Sequence, residues 1–216
     1  MYGREQVQAA RLVSNPGCYA TDMQLLLAPL MPHARADAPP TVFGVSGYSG
    51  AGTRSGTRSA DGRPTTEPKV APDSLGGAVK PYALTDHIHE REACAHPAKL
   101  GRAIDVAFTP AVAPWFSGII ATASVPLGTS LTARNVKDLF RERYANEPLV
   151  EVCDEVPEIA TGAGKHGFRV GGFQVNSGGD RVVVVGVIDN LLKGAATQCI
   201  QNLNLALGLD ELTGIQ

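Results

Sequence analysis

The chain has 216 residues, of which 44% are hydrophobic, enough to bury a core as one domain or one and a half. Its formal charge of −2, without any run of Lys or Arg, excludes the electrostatic footprint of a nucleic-acid binder, so an anionic ligand must be held by a few local groups. No apolar run approaches the ~20 residues of a membrane span, and the start lacks the charged-then-apolar pattern of a secretory signal. The four cysteines, at positions 18, 94, 153 and 199, are scattered without a short pairing motif, which suits a reduced, intracellular chain.

The first segment with chemical content is Ser14-Asn15-Pro16-Gly17-Cys18-Tyr19-Ala20-Thr21, running into Met23-Gln24-Leu25-Leu26-Leu27. Asn15 is a good helix N-cap, and Pro16 suits the first helical position, where no amide hydrogen is needed. That register places Cys18 in the first turn, where unpaired N–H groups and the helix dipole favour a thiolate. A free thiol titrates near 8.5, and such surroundings bring it to roughly 3.5–7.5. Gly17 lets a neighbour approach closely. Cys18 is therefore a candidate nucleophile; inert packing, the usual fate of a free cysteine, is the alternative.

Residues 41–46 read as a strand, followed by Gly47-Tyr48-Ser49-Gly50-Ala51-Gly52. A dinucleotide fingerprint would need a helix opening at the last glycine, but 53–68 is polar, interrupted by Arg, Gly and Pro, and reads as a loop. Thr85 can cap a helix ending near Pro97. On it His87 and His89 lie about 200° apart and cannot share a face, whereas His89 and Glu92 can. A histidine beside a carboxylate is a general acid/base with an orienting partner. A solvated charged face is the competing reading, as is a zinc site from His87, His89, Cys94 and His96, whose spacing matches no standard pattern. Residues 104–110 and 118–125 read as strands joined by 111–116. Residues 132–146 form an amphipathic helix, and 149–153 a short strand with Cys153 as packing. Residues 168–175 and 181–188 form a hairpin, whose apolar second strand must be covered on both faces or lie in an interface. His166, a lone loop histidine, reads as structural. The tail from Asp189 is a helix closed by Gly208, with Leu192, Ala196, Cys199, Ile200, Leu203 and Leu207 on one stripe.

The segment from Asn15 to Thr21 resembles the signature of N-acetyl-γ-glutamyl-phosphate reductases, relatives of the aspartate-semialdehyde and glyceraldehyde-3-phosphate dehydrogenases. The likeness recurs through most of the chain and is nearest to the fungal-type branch. It implies an α+β fold like the C-terminal substrate and dimerisation domain of glyceraldehyde-3-phosphate dehydrogenase: a mostly antiparallel sheet with flanking helices and a C-terminal helix. Residues 1–188 would be the substrate domain, and 189–216 the helix that packs on an N-terminal NADP-binding domain, which in the family precedes a segment like Tyr2-Gly3.

The resemblance implies catalytic Cys18, His89 and Glu92. Asn15, Ser46, Gly47, Ser49, Gly50 and Gly52 would bind substrate, the glycine loop through backbone N–H groups, and Asn190, Lys193 and Gly194 would face NADP(H). No metal is implied. The activity would be reduction of N-acetyl-γ-glutamyl phosphate to the semialdehyde in arginine biosynthesis, through a cysteine thioester. A non-catalytic assembly or dimerisation module is the alternative. An aspartate-semialdehyde-like reductase is disfavoured by Tyr19 and the His89 segment. Where relatives usually carry a histidine this chain has Ala111, and where many bacterial members carry an arginine it has Ser117; both remove a polar group from the turn expected to face the substrate. A homo-oligomer acting on a small acyl phosphate is expected, with no nucleic-acid or membrane partner, in the cytoplasm or alternatively the mitochondrial matrix.

Overall fold

The computed structural model describes residues 3–52, 69–99 and 105–215. The segment 53–68, read as a loop, lies outside the described residues. Strands β1 (Thr41–Gly47), β2 (Lys80–Pro81), β3 (Ala107–Ala113), β4 (Ile119–Pro126), β5 (Val150–Val152), β6 (Phe168–Val175) and β7 (Arg181–Ile188) form one sheet in the order β2-β3-β1-β4-β7-β6-β5. The pairs β1–β4, β2–β3, β4–β7 and β6–β7 are antiparallel, and β1–β3 and β5–β6 are parallel. This is the mixed, largely antiparallel sheet expected. β3 runs on to Ala113, so half of the supposed linker is strand.

Alternation along the strands sorts the sheet into two unlike faces. Val42, Phe108, Ile119, Ala121, Phe168, Val182, Val184 and Ile188 point to one side. Beside the short α1 (Arg4–Ala9), which packs on the tail, helices α2 (Cys18–Leu27), α3 (Ile88–Lys99) and α4 (Ala133–Tyr144) form a layer with them, and Met23, Leu26, Val136 and Phe140 join the same core. α4 starts on a capping box: the Asn135 N–H donates to Thr132 Oγ1 at 3.1 Å, and the Thr132 N–H to Asn135 Oδ1 at 3.1 Å. Its last residue, Tyr144, donates to the Leu25 carbonyl at 2.6 Å and ties α4 to α2. Gly44 on β1 leaves room for the Tyr19 ring; a Cβ there would stand 2.5 Å from Tyr19 Cε1.

The opposite face carries Phe43, Ile120, Thr122, Ser124 and Val183. A short helix α5 (Ile159–Gly162) covers it at Val187, where Gly162 packs, but Phe43 is 45% exposed and Thr122 is exposed. β7 is thus fully buried on one side and partly open on the other.

The tail begins as a π-turn (Leu192–Ala196) and continues as α6 (Thr197–Ala206). Its inward face is polar: Lys193, Thr197, Gln198, Gln201 and Asn204 are buried, while Leu203 and Leu207 are 54% and 64% exposed. The leucine stripe read from sequence is real but points outward, because hydrogen bonds rather than apolar contacts seat this helix. Lys193 Nζ donates to Gln201 Oε1 at 2.6 Å, Gln201 to Glu211 at 2.9 Å, and Arg4 to both Glu211 and Glu147 at 2.8 and 2.7 Å. Phe140, with no exposed surface, lies 5.1 Å from Phe173 ring to ring. Phe140→Ala is expected to lower unfolding free energy by about 3–5 kcal/mol, measured by urea titration; a loss under 1 kcal/mol would mean that the site collapses to fill the hole.

Candidate active site

Cys18 is the first residue of α2, and Gly17, extended at φ −66° and ψ 161°, is its N-cap. Asn15 therefore does not cap the helix, nor does Pro16 open it. A residue before proline is held extended, which delays the helix by two positions. Asn15 is exposed and its Oδ1 accepts from Asn202 at 2.6 Å; the Pro16 carbonyl accepts from Gln198 at 3.0 Å. The polar face of α6 thus pins the strand of chain leading to the nucleophile.

From the other side α3 reaches the same spot. The Gly17 N–H donates to Glu92 Oε2 at 2.7 Å, and the His89 imidazole lies so close over Gly17 that a Cβ there would collide with Nε2. Glu92 therefore serves the loop and makes no hydrogen bond to His89, whose Nδ1 is buried without a partner. The expected juxtaposition of Cys18 and His89 is met through the intervening glycine. Behind Cys18 lies the π-turn: a Cβ on Gly194 would stand 2.7 Å from Cys18 Cβ, so only glycine fits.

α3 starts three residues after Thr85. Asp86 takes φ +58° and turns the chain, and the His89 N–H donates to His87 Nδ1 at 3.2 Å. His87 thus stands outside the helix, and its ring lies 4.7 Å from that of His89. The expectation that the two histidines cannot share a face fails because only one of them is helical. Among the described residues no group of three metal-ligating side chains gathers. His87 instead joins an aromatic cluster with Tyr19, Tyr82 and Phe108, at 6.4, 5.9 and 5.4 Å between rings. Tyr82, which sequence reasoning passed over, stands near enough to Cys18 that burial and the thiol's charge both push its phenol up; a lone tyrosine before a helix carries no signal of this.

Electrostatics reverse the expected thiolate. Burial pushes the Cys18 thiol up to about 11, and the N–H groups of Cys18 and Tyr19 offset only part of that. His89 is driven below its ordinary value by burial, and His87 likewise. The resting pair is therefore neutral thiol and neutral imidazole, and the imidazole is able to take a proton.

The glycine loop is tightly tied. The N–H groups of Gly47, Tyr48 and Ser49 donate to Gly118, Trp115 and Phe116 carbonyls at 2.9, 3.0 and 3.1 Å, and that of Gly52 to Ser49 at 3.0 Å. Ser46 is buried, its Oγ donating to the Gly47 carbonyl at 3.0 Å. These donors are used within the protein, leaving fewer for an anion than the pattern suggested. Asn190 donates to Ser49 Oγ at 3.0 Å and accepts from the Gly118 N–H at 2.8 Å, so the same turn that carries Gly194 holds the loop. Ser117 donates to Asp189 Oδ2 at 2.8 Å. Ala111 is wholly buried inside β3, its carbonyl accepting the Tyr19 hydroxyl at 2.8 Å. His166 Nδ1 meets Thr197 Oγ1 at 2.8 Å, a structural tie.

The mixed sheet with its helical layer has the architecture of a semialdehyde dehydrogenase dimerisation domain. Residues 18–190 match the family model described as semialdehyde dehydrogenase, dimerisation domain, and the chain belongs to that family. Within it, similar proteins include bacterial N-acetyl-γ-glutamyl-phosphate reductases. The chain is 50% identical over 212 residues to the enzyme of that name from Xanthomonas campestris, covering 98% of this chain and 61% of that protein. It is 49% identical over 212 residues to Protein arg-6, mitochondrial, of Neurospora crassa, covering 98% of this chain and 22% of that protein. It thus spans about three-fifths of the bacterial relative and about a fifth of the fungal one. The crystal structure of aspartate semialdehyde dehydrogenase II from Vibrio cholerae has the same fold, with a TM-score of 0.68 at 19% identity over 95% of this chain and 65% of that one.

The neutral resting thiol has a direct consequence for labelling. Iodoacetamide at pH 7 is expected to modify the exposed Cys199 before the half-buried Cys18, with the Cys18 rate rising about tenfold per pH unit until near its midpoint of about 11. Preferential labelling of Cys18 at pH 6, read by peptide mass spectrometry, would restore the thiolate expected from sequence.

Proposed function

We propose that this chain is the catalytic and substrate-binding part of an N-acetyl-γ-glutamyl-phosphate reductase, acting in arginine biosynthesis. The observation that carries the reading is the His89 imidazole seated over Gly17, immediately before Cys18 at the start of α2. His89 takes the Cys18 proton; the sulfur attacks the acyl-phosphate carbonyl, the carbon–oxygen bond to phosphate breaks, and a thioester remains on Cys18. His89 then holds the proton that the product needs. Glu92 fixes the Gly17 loop, and so the approach of the two reacting groups.

NADPH would supply the hydride that carries the acyl group to the aldehyde level. The residues expected to face it, Asn190, Lys193 and Gly194, stand in the turn behind Cys18 and are tied into this domain. Asn190 is buried and bonded to Ser49 and Gly118. Lys193 is 1% exposed, bonded to Gln201 and pulled down to about 8, chiefly by burial. The reading that NADP(H) is bound mainly by a domain outside this chain is supported by these internal ties and by the chain's spanning 61% of the bacterial relative. The outward leucines of α6 offer that domain an apolar seat, which supports dividing the chain at 188.

The second role, self-association, is favoured by the uncovered sheet face around Phe43, Ile120 and Thr122, and by the family's description as a dimerisation domain. The bacterial likeness favours the cytoplasm and the fungal relative, named as mitochondrial, the matrix. No described helix is long and apolar enough to cross a membrane.

Joined to a nucleotide-binding domain and assayed in reverse with semialdehyde, phosphate and NADP⁺, the protein is expected to lose roughly 10³-fold or more in kcat on Cys18→Ser and about 10²–10⁴-fold on His89→Gln. Activity surviving Cys18→Ser would remove the nucleophile. By sedimentation, Phe43→Glu with Ile120→Lys should yield monomers, whereas Leu203→Glu with Leu207→Glu should keep the oligomer and abolish turnover; the opposite pairing would exchange the two surfaces.

A further inference from the structure

One turn beyond Cys18 on α2, Asp22 has no exposed surface, and neither carboxylate oxygen has a hydrogen-bond partner. Residues four apart share a helix face, so the carboxyl lies on the side that carries the sulfur. The floor beneath them is glycine twice over. Gly194 backs Cys18; on β7 a Cβ at Gly186 would stand 2.9 Å from Asp22 Oδ1, 2.9 Å from Leu26 Cδ2 and 2.6 Å from Phe168 Cε2. Apolar groups thus close the pocket around the carboxyl.

The charged groups that approach the pair are few. α3 brings His89 and Glu92, the latter bonded to the Gly17 N–H. The π-turn carries Lys193, but its Nζ is bonded to Gln201, and Tyr82, ahead of α3, stands near the Cys18 thiol. Toward α2, β4, β6 and β7 present only apolar side chains and Gly186. On α2 itself Tyr19 aims its hydroxyl at the Gly44 and Ala111 carbonyls. No cation neutralises Asp22 among the described residues, and burial holds its carboxyl well above the ordinary range. Its charge in turn raises the Cys18 thiol.

We propose that Asp22 is a positioning residue for the nucleophile: Asp22 and Cys18 form a coupled acid pair in one dry pocket, so the thiolate forms more readily in molecules whose Asp22 keeps its proton. Asp22 touches no reacting atom. When His89 takes the proton from sulfur, the carboxyl retains its own, and an ionised Asp22 withholds the thiolate by like-charge repulsion in a dry site. The coupling is reciprocal. It deepens the assignment of Cys18 as nucleophile and rests on that reading.

The test reads the thiol itself rather than turnover, so its failure is distinct from failure of the proposed reaction. Thiolate absorbance at 240 nm and alkylation of Cys18 are followed against pH in the whole chain. Asp22→Asn, isosteric but uncharged, is expected to lower the Cys18 midpoint by about one pH unit and to raise alkylation about tenfold at a fixed pH below it. A folded Asp22→Asn protein with an unchanged midpoint overturns the proposal. Should that variant not fold, carbon-13 NMR of labelled aspartate decides in the intact protein. Asp22 is expected to titrate well above 3.8 in the intact protein, whereas titration near 3.8 refutes the proposal.

Discussion

The site depends on the close approach at Gly17. Its N–H is bonded to Glu92, and its missing side chain is the space in which the His89 ring sits. Both partners come from α3, far along the chain, and both converge on the residue that caps α2. A side chain at 17 would push away the imidazole; loss of the carboxylate would free the loop. Around this point the sheet acts as a jig. The Phe108 N–H on β3 donates to Glu90 at 2.9 Å, and the Tyr19 hydroxyl reaches β1 and β3, so both helices are registered against the same strands.

Two opposing effects meet at the sulfur. The N-terminus of a helix offers unpaired N–H groups that stabilise an anion, but removal from water destabilises it more. Burial wins, and the protein holds a thiol at rest beside a desolvated, neutral histidine. A neutral thiol is also less open to oxidation than an exposed thiolate.

The domain presents two apolar surfaces with different origins. The open sheet face arises because, among the described residues, the short α5 and the Trp115 cluster over Val45, Ala111 and Ala113 cover only part of that side. The leucines of α6 face out because its inner side is committed to hydrogen bonds, running from Lys193 through Gln201 and Glu211 to Arg4 and Glu147. That network joins both ends of the chain and holds the π-turn that backs Cys18, so seating the tail and shaping the nucleophile's pocket are one task.

Much of this was legible in the residue pattern. Strand alternation, the amphipathic period of α4, the hairpin of β6 and β7 and the leucine stripe of the tail are local signals, and each marked a real element. Cys18 and His89 were singled out through the family resemblance, since spacing alone left inert packing and a solvated helix face open for them. What the pattern missed depends on partners distant in sequence. Asn15 yields the cap to Gly17, Glu92 serves a backbone N–H in place of an imidazole, and His87 is drawn beside His89 by the turn at Asp86. The amino-acid sequence by itself determined which elements form and brought Cys18 and His89 forward as candidates. Only the tertiary structure decided which way the tail's leucines point, which donors are already spent, and whether the thiol is charged, because desolvation and hydrogen-bond partnership are properties of the packed surroundings.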